Sequence, residues 1–209
     1  MVNDEVTVDL LDRAARGERG ALDRLLDRHR GRLRRMIAVR MDARLSARVD
    51  PSDVVQETFA EAARKLPEYA AELRAPFYLW LRQLAWRRLL DLSRKHIAAR
   101  CRSVKDQAER ELPLAGESVV RLAARLVASQ TSPSEHLERK ELRGRVRAAL
   151  VRLQPPHQEV LVLRFLEELS TSEIASILGI TERAVRYRQR LAMERLARLL
   201  GHENPEDAP

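Results

Sequence analysis

The run Leu169-Ser170-Thr171-Ser172-Glu173-Ile174-Ala175-Ser176-Ile177-Leu178-Gly179-Ile180-Thr181-Glu182-Arg183-Ala184-Val185-Arg186-Tyr187-Arg188-Gln189-Arg190 has the spacing of a helix-turn-helix. Ser170 is placed to cap a first helix, and Glu173, three residues on, to reach back to the cap's backbone N–H as a capping box. Gly179 supplies a left-handed residue that ends this helix, in a conformation any Cβ penalises. Thr181 then caps a second helix, in which Arg183, Arg186, Tyr187 and Arg190 fall at i, i+3, i+4 and i+7 on one face. The apolar Val185, Leu191, Leu196 and Leu199 fall largely elsewhere, which leaves the cationic face to enter a groove.

Residues 182–198 hold six arginines (183, 186, 188, 190, 195, 198) against Glu182 and Glu194, a local net of +4. A basic second helix after a tight glycine turn suits a major-groove reader, with long donors for phosphates and some able to reach guanine edges bidentately. A solvated arginine face is the plainer account of the arginines alone. Two caps, the glycine turn and the apolar Ile174, Ile177, Leu178 and Val185 together favour DNA binding.

Composition widens the reading to the whole chain. Its 209 residues allow one or two domains, and with aromatics at 4% and only seven glycines an all-α fold is expected. A net charge of +8 and a pI near 10.4 call for a polyanionic partner. No stretch approaches the roughly 20 apolar residues of a membrane span. Met1-Val2-Asn3-Asp4-Glu5 lacks the layout of a signal peptide. The expectation is a cytoplasmic protein with no membrane partner. The single cysteine, Cys101, excludes an internal disulfide and a multi-cysteine metal site, and reads as an incidental thiol in a basic linker.

Periodicity predicts two small helical domains. In the first, a helix over Val8–Arg16 is closed by Gly17, and a longer one over 21–41 carries Leu22, Leu25, Leu26, Leu33 and Ile37. Asp50-Pro51-Ser52-Asp53 starts a third, with Asp50 as cap and Pro51 at the first helical position, running to about Leu66 before Pro67. A fourth extends from Pro76 through Lys95. The first domain is thus residues 1–98. Residues 99–131 read as a partly ordered linker, broken by Pro113 and Gly116, with a short helix at Val119–Ala128. Ser132-Pro133-Ser134-Glu135 opens the second domain, 132–201, in which Pro155-Pro156 ends the first helix. Residues 202–209 form a disordered tail.

On the helix after Asp50, Asp50, Asp53, Glu57 and Glu61 share one side, while Val55, Phe59, Ala62 and Leu66 share the other. An acidic stripe has no use for nucleic acid, so it suggests a protein partner with a basic surface; simple solvation of an acidic helix start is equally compatible. The stretch Pro76–His96 holds four of the chain's eight aromatics, and residues 76–102 carry seven Lys/Arg (82, 87, 88, 94, 95, 100, 102) against Asp91. Aromatic rings beside cations can hold unstacked bases. Trp80 projects with Leu81 and Leu84, so packing is its expected role. Trp86 projects with Arg82, Gln83 and Ser93 and is the better stacking candidate, with a core role for both tryptophans left open. The five histidines (29, 96, 136, 157, 202) show no metal spacing, and neither a glycine-rich phosphate loop nor a Ser/His or Cys/His pairing occurs. No enzyme, cofactor or metal site is expected.

These pieces, in this order, resemble a bacterial sigma factor of the extracytoplasmic-function type, over about residues 5–200. Asp50-Pro51-Ser52-Asp53-Val54-Val55-Gln56-Glu57-Thr58-Phe59 looks like that family's acidic helix, which docks on the beta-prime clamp helices of core RNA polymerase. The resemblance assigns polymerase binding, with the beta subunit as a further contact, to Asp50, Asp53, Gln56, Glu57 and Glu61. Phe77–Arg94 looks like the helix that melts the promoter and reads the minus-ten element. The matching positions are Phe77, Trp80, Trp86, Arg87, Arg88, Asp91, Arg94 and Lys95. Leu153–Leu200 looks like the region whose helix-turn-helix reads the minus-thirty-five element, here through Thr171, Thr181, Arg183, Arg186, Tyr187 and Arg190. The family often has asparagine at Arg87 and threonine at Ala184, so base contacts are not carried over. The implied partners are core RNA polymerase and promoter DNA; an anti-sigma factor or other regulator stays open. The rival reading is a stand-alone helix-turn-helix regulator with a sensing N-terminal domain, which would not need the acidic helix and the tryptophan-containing basic helix.

Overall fold

The structure, a computed structural model of the full chain, describes residues 5–41, 43–72, 75–98, 116–128 and 136–201. Every regular element among these residues is a helix, and the chain divides into two compact units, residues 1–113 and 114–209.

The first unit contains α1 (Glu5–Ala15), α2 (Arg19–Arg40), the single turn α3 (Ala43–Ser46), α4 (Pro51–Glu72) and α5 (Phe77–Ala98). Gly17, at φ +91°, makes the turn between α1 and α2, where Glu18 N–H bonds back to the Arg13 carbonyl. Helices α2 and α5 run side by side in the same direction, because His29 meets Phe77 and Tyr78 near one end while Arg40 meets Trp86 further along. Helix α4 runs the opposite way against α2, with Arg30 over Phe59 and Arg34 hydrogen-bonded to Ser52. Leu25, Leu33, Met36, Ile37, Phe77 and Leu81 have no exposed surface and form the centre of the core.

Helix α4 does not stop at Leu66, as Pro67 predicts, but continues to Glu72 with Pro67 inside it. Proline cannot donate to the Ala63 carbonyl, yet Ala63 and Pro67 are both exposed, so water can serve the freed oxygen. Continuation also places Tyr69 in the core. Its ring stacks on Trp80 at 4.4 Å and its hydroxyl donates to the Ala75 carbonyl at 2.8 Å, contacts that a break at Leu66 would forfeit.

The second unit contains α6 (Gly116–Ala128), α7 (His136–Val151), α8 (Pro155–Phe165), α9 (Thr171–Leu178) and α10 (Glu182–Gly201). Helix α6 lies inside the stretch that reads as a linker, yet it packs on α7 and α8. Val119, Leu122, Ala123 and Leu126, at i, i+3, i+4 and i+7, are buried there, and Arg125 pairs with Glu168 at 2.9 Å. An amphipathic stripe with a surface to cover orders the segment. Cys101, the Ser132-Pro133-Ser134-Glu135 start and the 202–209 tail lie outside the described residues. Between α7 and α8, the Gln158 amide donates to the carbonyls of Leu150 and Leu153, serving the C-terminal end of α7 across the Pro155-Pro156 turn. No described helix is long and apolar enough to cross a membrane.

Candidate nucleic-acid interface and acidic docking face

The turn between α9 and α10 is built by short-range bonds. Ser170 Oγ accepts from Glu173 N–H at 3.2 Å, and the Glu173 carboxylate accepts from Ser170 N–H at 2.8 Å, which closes the capping box. Gly179 sits at φ +64°, with its N–H on the Ala175 carbonyl, and ends α9. Thr181 Oγ1 then accepts from Ala184 N–H at 3.2 Å and caps α10. Val185, Ala192 and Leu196 are buried on the inner face of α10. Arg183, Arg186, Tyr187 and Arg190 are all exposed on the opposite side, together with Thr181; Thr171 is half-buried at the start of α9.

The outward face of α10 is held in place by its own charges. Arg186 pairs with Glu182 at 3.3 Å and Arg190 with Glu194 at 3.5 Å, one turn apart on the same helix. The Arg190 guanidinium also lies 5.6 Å from the centre of the Tyr187 ring. Exposed pairs of this kind are worth a few tenths of a kcal/mol, about 0.3–0.5, so a phosphate or base edge can displace the carboxylate. Behind this face, Arg195 lies 3.1 Å from His157 Nδ1 and 3.3 Å from Gln154 Oε1, which joins α10 to the start of α8. Burial, with Arg195 and Arg188 nearby, pushes the His157 imidazole below its ordinary range, so it is neutral and can accept at Nδ1.

In the first unit, Val54, Val55, Thr58, Phe59, Ala62 and Leu66 are buried, and Asp53, Gln56 and Glu57 are exposed on the other side of α4. The five acidic-face candidates differ in what they do locally. Asp50 Oδ1 accepts from Ser52 N–H at 2.7 Å as the cap of α4, and this bond, with Arg34 nearby, holds its carboxyl below the usual carboxylate range. Glu61 is half-buried and paired with Lys65 at 2.6 Å. Glu57 is ion-paired with Arg88 of α5. Asp53, Gln56 and Glu57 are thus the exposed candidates on α4 itself.

On α5 the candidates separate into two groups. Phe77 is fully buried, and its ring lies 5.6 Å from Tyr69 and 5.5 Å from Trp80, so in this fold it is a core residue and not a DNA contact. Trp80, half-buried on Tyr69, belongs with it. Arg87, Asp91, Arg94 and Lys95 are exposed, and Gln83, Arg87, Asp91 and Arg94 form one line at i, i+4, i+8 and i+11. Trp86 is half-buried against the core, with the guanidiniums of Arg40 and Arg82 at 5.5 and 5.8 Å from its ring. Arg82 itself is buried, so the side of α5 read as polar is a packed cation–aromatic cluster. Sequence reading passed over Arg40, because its neighbour across α5 is 46 positions away in the chain and no local pattern links them.

Residues 25–98 match the family model described as Sigma-70 region 2, and residues 143–196 match the one described as Sigma-70, region 4. The chain belongs to the sigma-70 family. Among its relatives, the ECF RNA polymerase sigma factor BldN of Streptomyces coelicolor is 29% identical over 203 residues, 96% of this chain and 67% of that protein. The RNA polymerase sigma factor CnrH of Cupriavidus metallidurans is 29% identical over 195 residues, 91% of this chain and 92% of that one. The solved structure of CnrH in complex with the cytosolic domain of CnrY has the same fold, with a TM-score of 0.54 at 24% identity over 96% of this chain and 100% of that one. The region 2 match of this sigma factor spans α2, α4 and α5 and thus both the acidic stripe and the basic helix; its region 4 match spans the helix-turn-helix.

Proposed function

We propose that this sigma factor binds core RNA polymerase through the outward stripe of α4, Asp53, Gln56 and Glu57, and directs it to particular promoters. The exposed line of α5, Arg87, Asp91, Arg94 and Lys95, meets the minus-ten element, and Trp86 supports the opened strand. Arg183, Arg186, Tyr187 and Arg190 of α10, entering the major groove behind Thr181, read the minus-thirty-five element. The protein acts without catalysis of its own, in the cytoplasm where polymerase and promoters meet. An anti-sigma factor or other protein regulator of the free factor belongs to the same reading.

The observation that carries this is one chain holding both a capped helix-turn-helix with an outward cationic face and a separate unit with an acidic helix face beside a basic one. Run-off transcription with core polymerase and genomic DNA tests it. Discrete transcripts that require both the core and this chain are expected. DNA binding with no gain of promoter-specific transcripts would instead favour the stand-alone regulator.

A further inference from the structure

Between α8 and the Ser170 cap of α9, Glu167 and Leu169 are fully buried and Glu168 between them faces outward. Among the described residues Glu168 is the non-glycine residue with a positive φ, +57°; the other positive angles belong to Gly17 and Gly179. This conformation returns the Leu169 N–H to the Leu163 carbonyl at 3.0 Å, and Arg164 Nη1 donates to the Leu169 carbonyl at 2.9 Å. Neither bond uses the side chain at 168.

That side chain turns to α6. Glu168 Oε1 accepts from Arg125 Nη2 at 2.9 Å, while Val119, Leu122, Ala123, Leu126 and Val127 are the buried stripe of α6, which packs on α7 and α8. The two side chains of the pair are 59% and 42% exposed, so the pair is worth at most about fivefold in an equilibrium. A left-handed residue that carries a Cβ is disfavoured by about five- to thirtyfold. Local energetics therefore favour glycine at 168, and the carboxylate that stands there instead serves position and not stability.

We infer that Arg125 and Glu168 are positioning residues for promoter reading: their contact sets the path by which the chain enters α9, and it makes α6 a part of the DNA-reading unit. The inference rests on the reading of α10 as the minus-thirty-five helix. Chain order carries the effect from turn to groove. Glu168 lies two residues before Ser170 of the capping box, α9 leads through Gly179 to the Thr181 cap, and α10 then presents Arg183, Arg186, Tyr187 and Arg190. Further along, α10 has braces of its own, Arg195 on His157 of α8 and Arg145 of α7 on the Leu200 carbonyl. The α6 contact acts at the other end of the helix-turn-helix, its entry.

The test uses the full chain in two measurements: hydrogen exchange on the free protein, and enrichment of an upstream motif from a pool of random-sequence duplexes by the chain assembled with core polymerase. Glu168→Gly removes the strain and the carboxylate together. Its melting temperature should hold level or rise, while exchange of the Ser170 and Glu173 amides quickens and motif enrichment falls, each by about two- to fivefold. A role in stability alone would instead move melting temperature and enrichment in the same direction. Arg125→Gln should lower enrichment to the same degree, with no further loss in the Glu168→Gly background, and the charge swap Arg125→Glu with Glu168→Arg should restore it. Unchanged enrichment in Glu168→Gly, additive losses in the double variant, or a charge swap without rescue would each overturn the inference. A wild-type chain that enriches no motif would sink the minus-thirty-five reading itself. The amide rates then still decide whether Arg125 sets the entry of α9, and equal rates in wild type, Arg125→Gln and Glu168→Gly would show that it does not.

Discussion

Glu57 of α4 and Arg88 of α5 form an ion pair across the first unit, so a carboxylate of the proposed polymerase face and a cation of the proposed promoter helix neutralise each other. Both side chains are partly exposed, at 50% and 31%, and such a pair contributes below about 1 kcal/mol to stability. Charge reversal at Asp53 and Glu57 should therefore weaken core binding and flatten its dependence on salt while leaving helicity intact. Exchanging the pair, Glu57→Arg with Arg88→Glu, should restore the melting temperature of the single Glu57→Arg variant but not its affinity for core polymerase. Restored affinity in a pull-down titration would mean that Glu57 acts only within the fold.

Arg186 and Arg190 each have a glutamate partner one turn away, so replacing either with alanine should change stability by less than about 0.5 kcal/mol. Promoter binding should weaken by roughly 1–3 kcal/mol if the lost contact is bidentate to a base, and the loss should depend on the upstream sequence. Equal loss on native and scrambled elements would assign both residues to phosphates and move base reading to Arg183 or Tyr187.

Phe77 and Trp86 should separate under mutation. Phe77→Ala, at a site with no exposed surface, should cost about 3–5 kcal/mol of stability and affect transcription only through folding. Trp86→Ala should cost less, roughly half of that range, because the ring is half-buried between Arg40 and Arg82. At temperatures where the Trp86→Ala variant is folded, closed-complex affinity should stay within about threefold. Permanganate-reactive thymines should be reduced, and a pre-melted template should recover the lost transcription. If the bubble gives no rescue, the indole serves the core alone.

Acid should loosen the second unit through His157. Its folded-state pKa is lowered by burial, then by Arg195 and Arg188, so the unfolded chain binds the proton more readily. The stabilisation is present above the unfolded value, about 6.5, and is lost as pH falls below it toward the folded value. Hydrogen exchange in α8 and α10 should therefore speed up on acidification through this window, and His157→Gln should flatten the response. Asp50 acts in the same direction but lower: its depressed pKa stabilises the start of α4 above about pH 4 and that support is lost beneath it.

The helix-turn-helix was legible in the sequence because its determinants act within four residues. Ser170 with Glu173, the left-handed Gly179, and Thr181 with Ala184 each close a bond that fits only one local backbone path. Asp50-Pro51 marks the start of α4 for the same reason, since a side-chain acceptor two residues before a free N–H needs no distant partner. The outward positions of Arg183, Arg186, Tyr187 and Arg190 follow from 3.6-residue periodicity. Packing overrode or completed what local signals left open. Pro67 stays helical because Tyr69 finds Trp80, and 116–128 is ordered because α7 and α8 cover its apolar stripe. Phe77, Arg82 and Trp86 take their places from α2 and α4, and Glu57 meets Arg88 only once α4 and α5 are antiparallel neighbours. Burial and ion pairing depend on which surfaces meet, and residues 31 positions apart meet only through the tertiary fold.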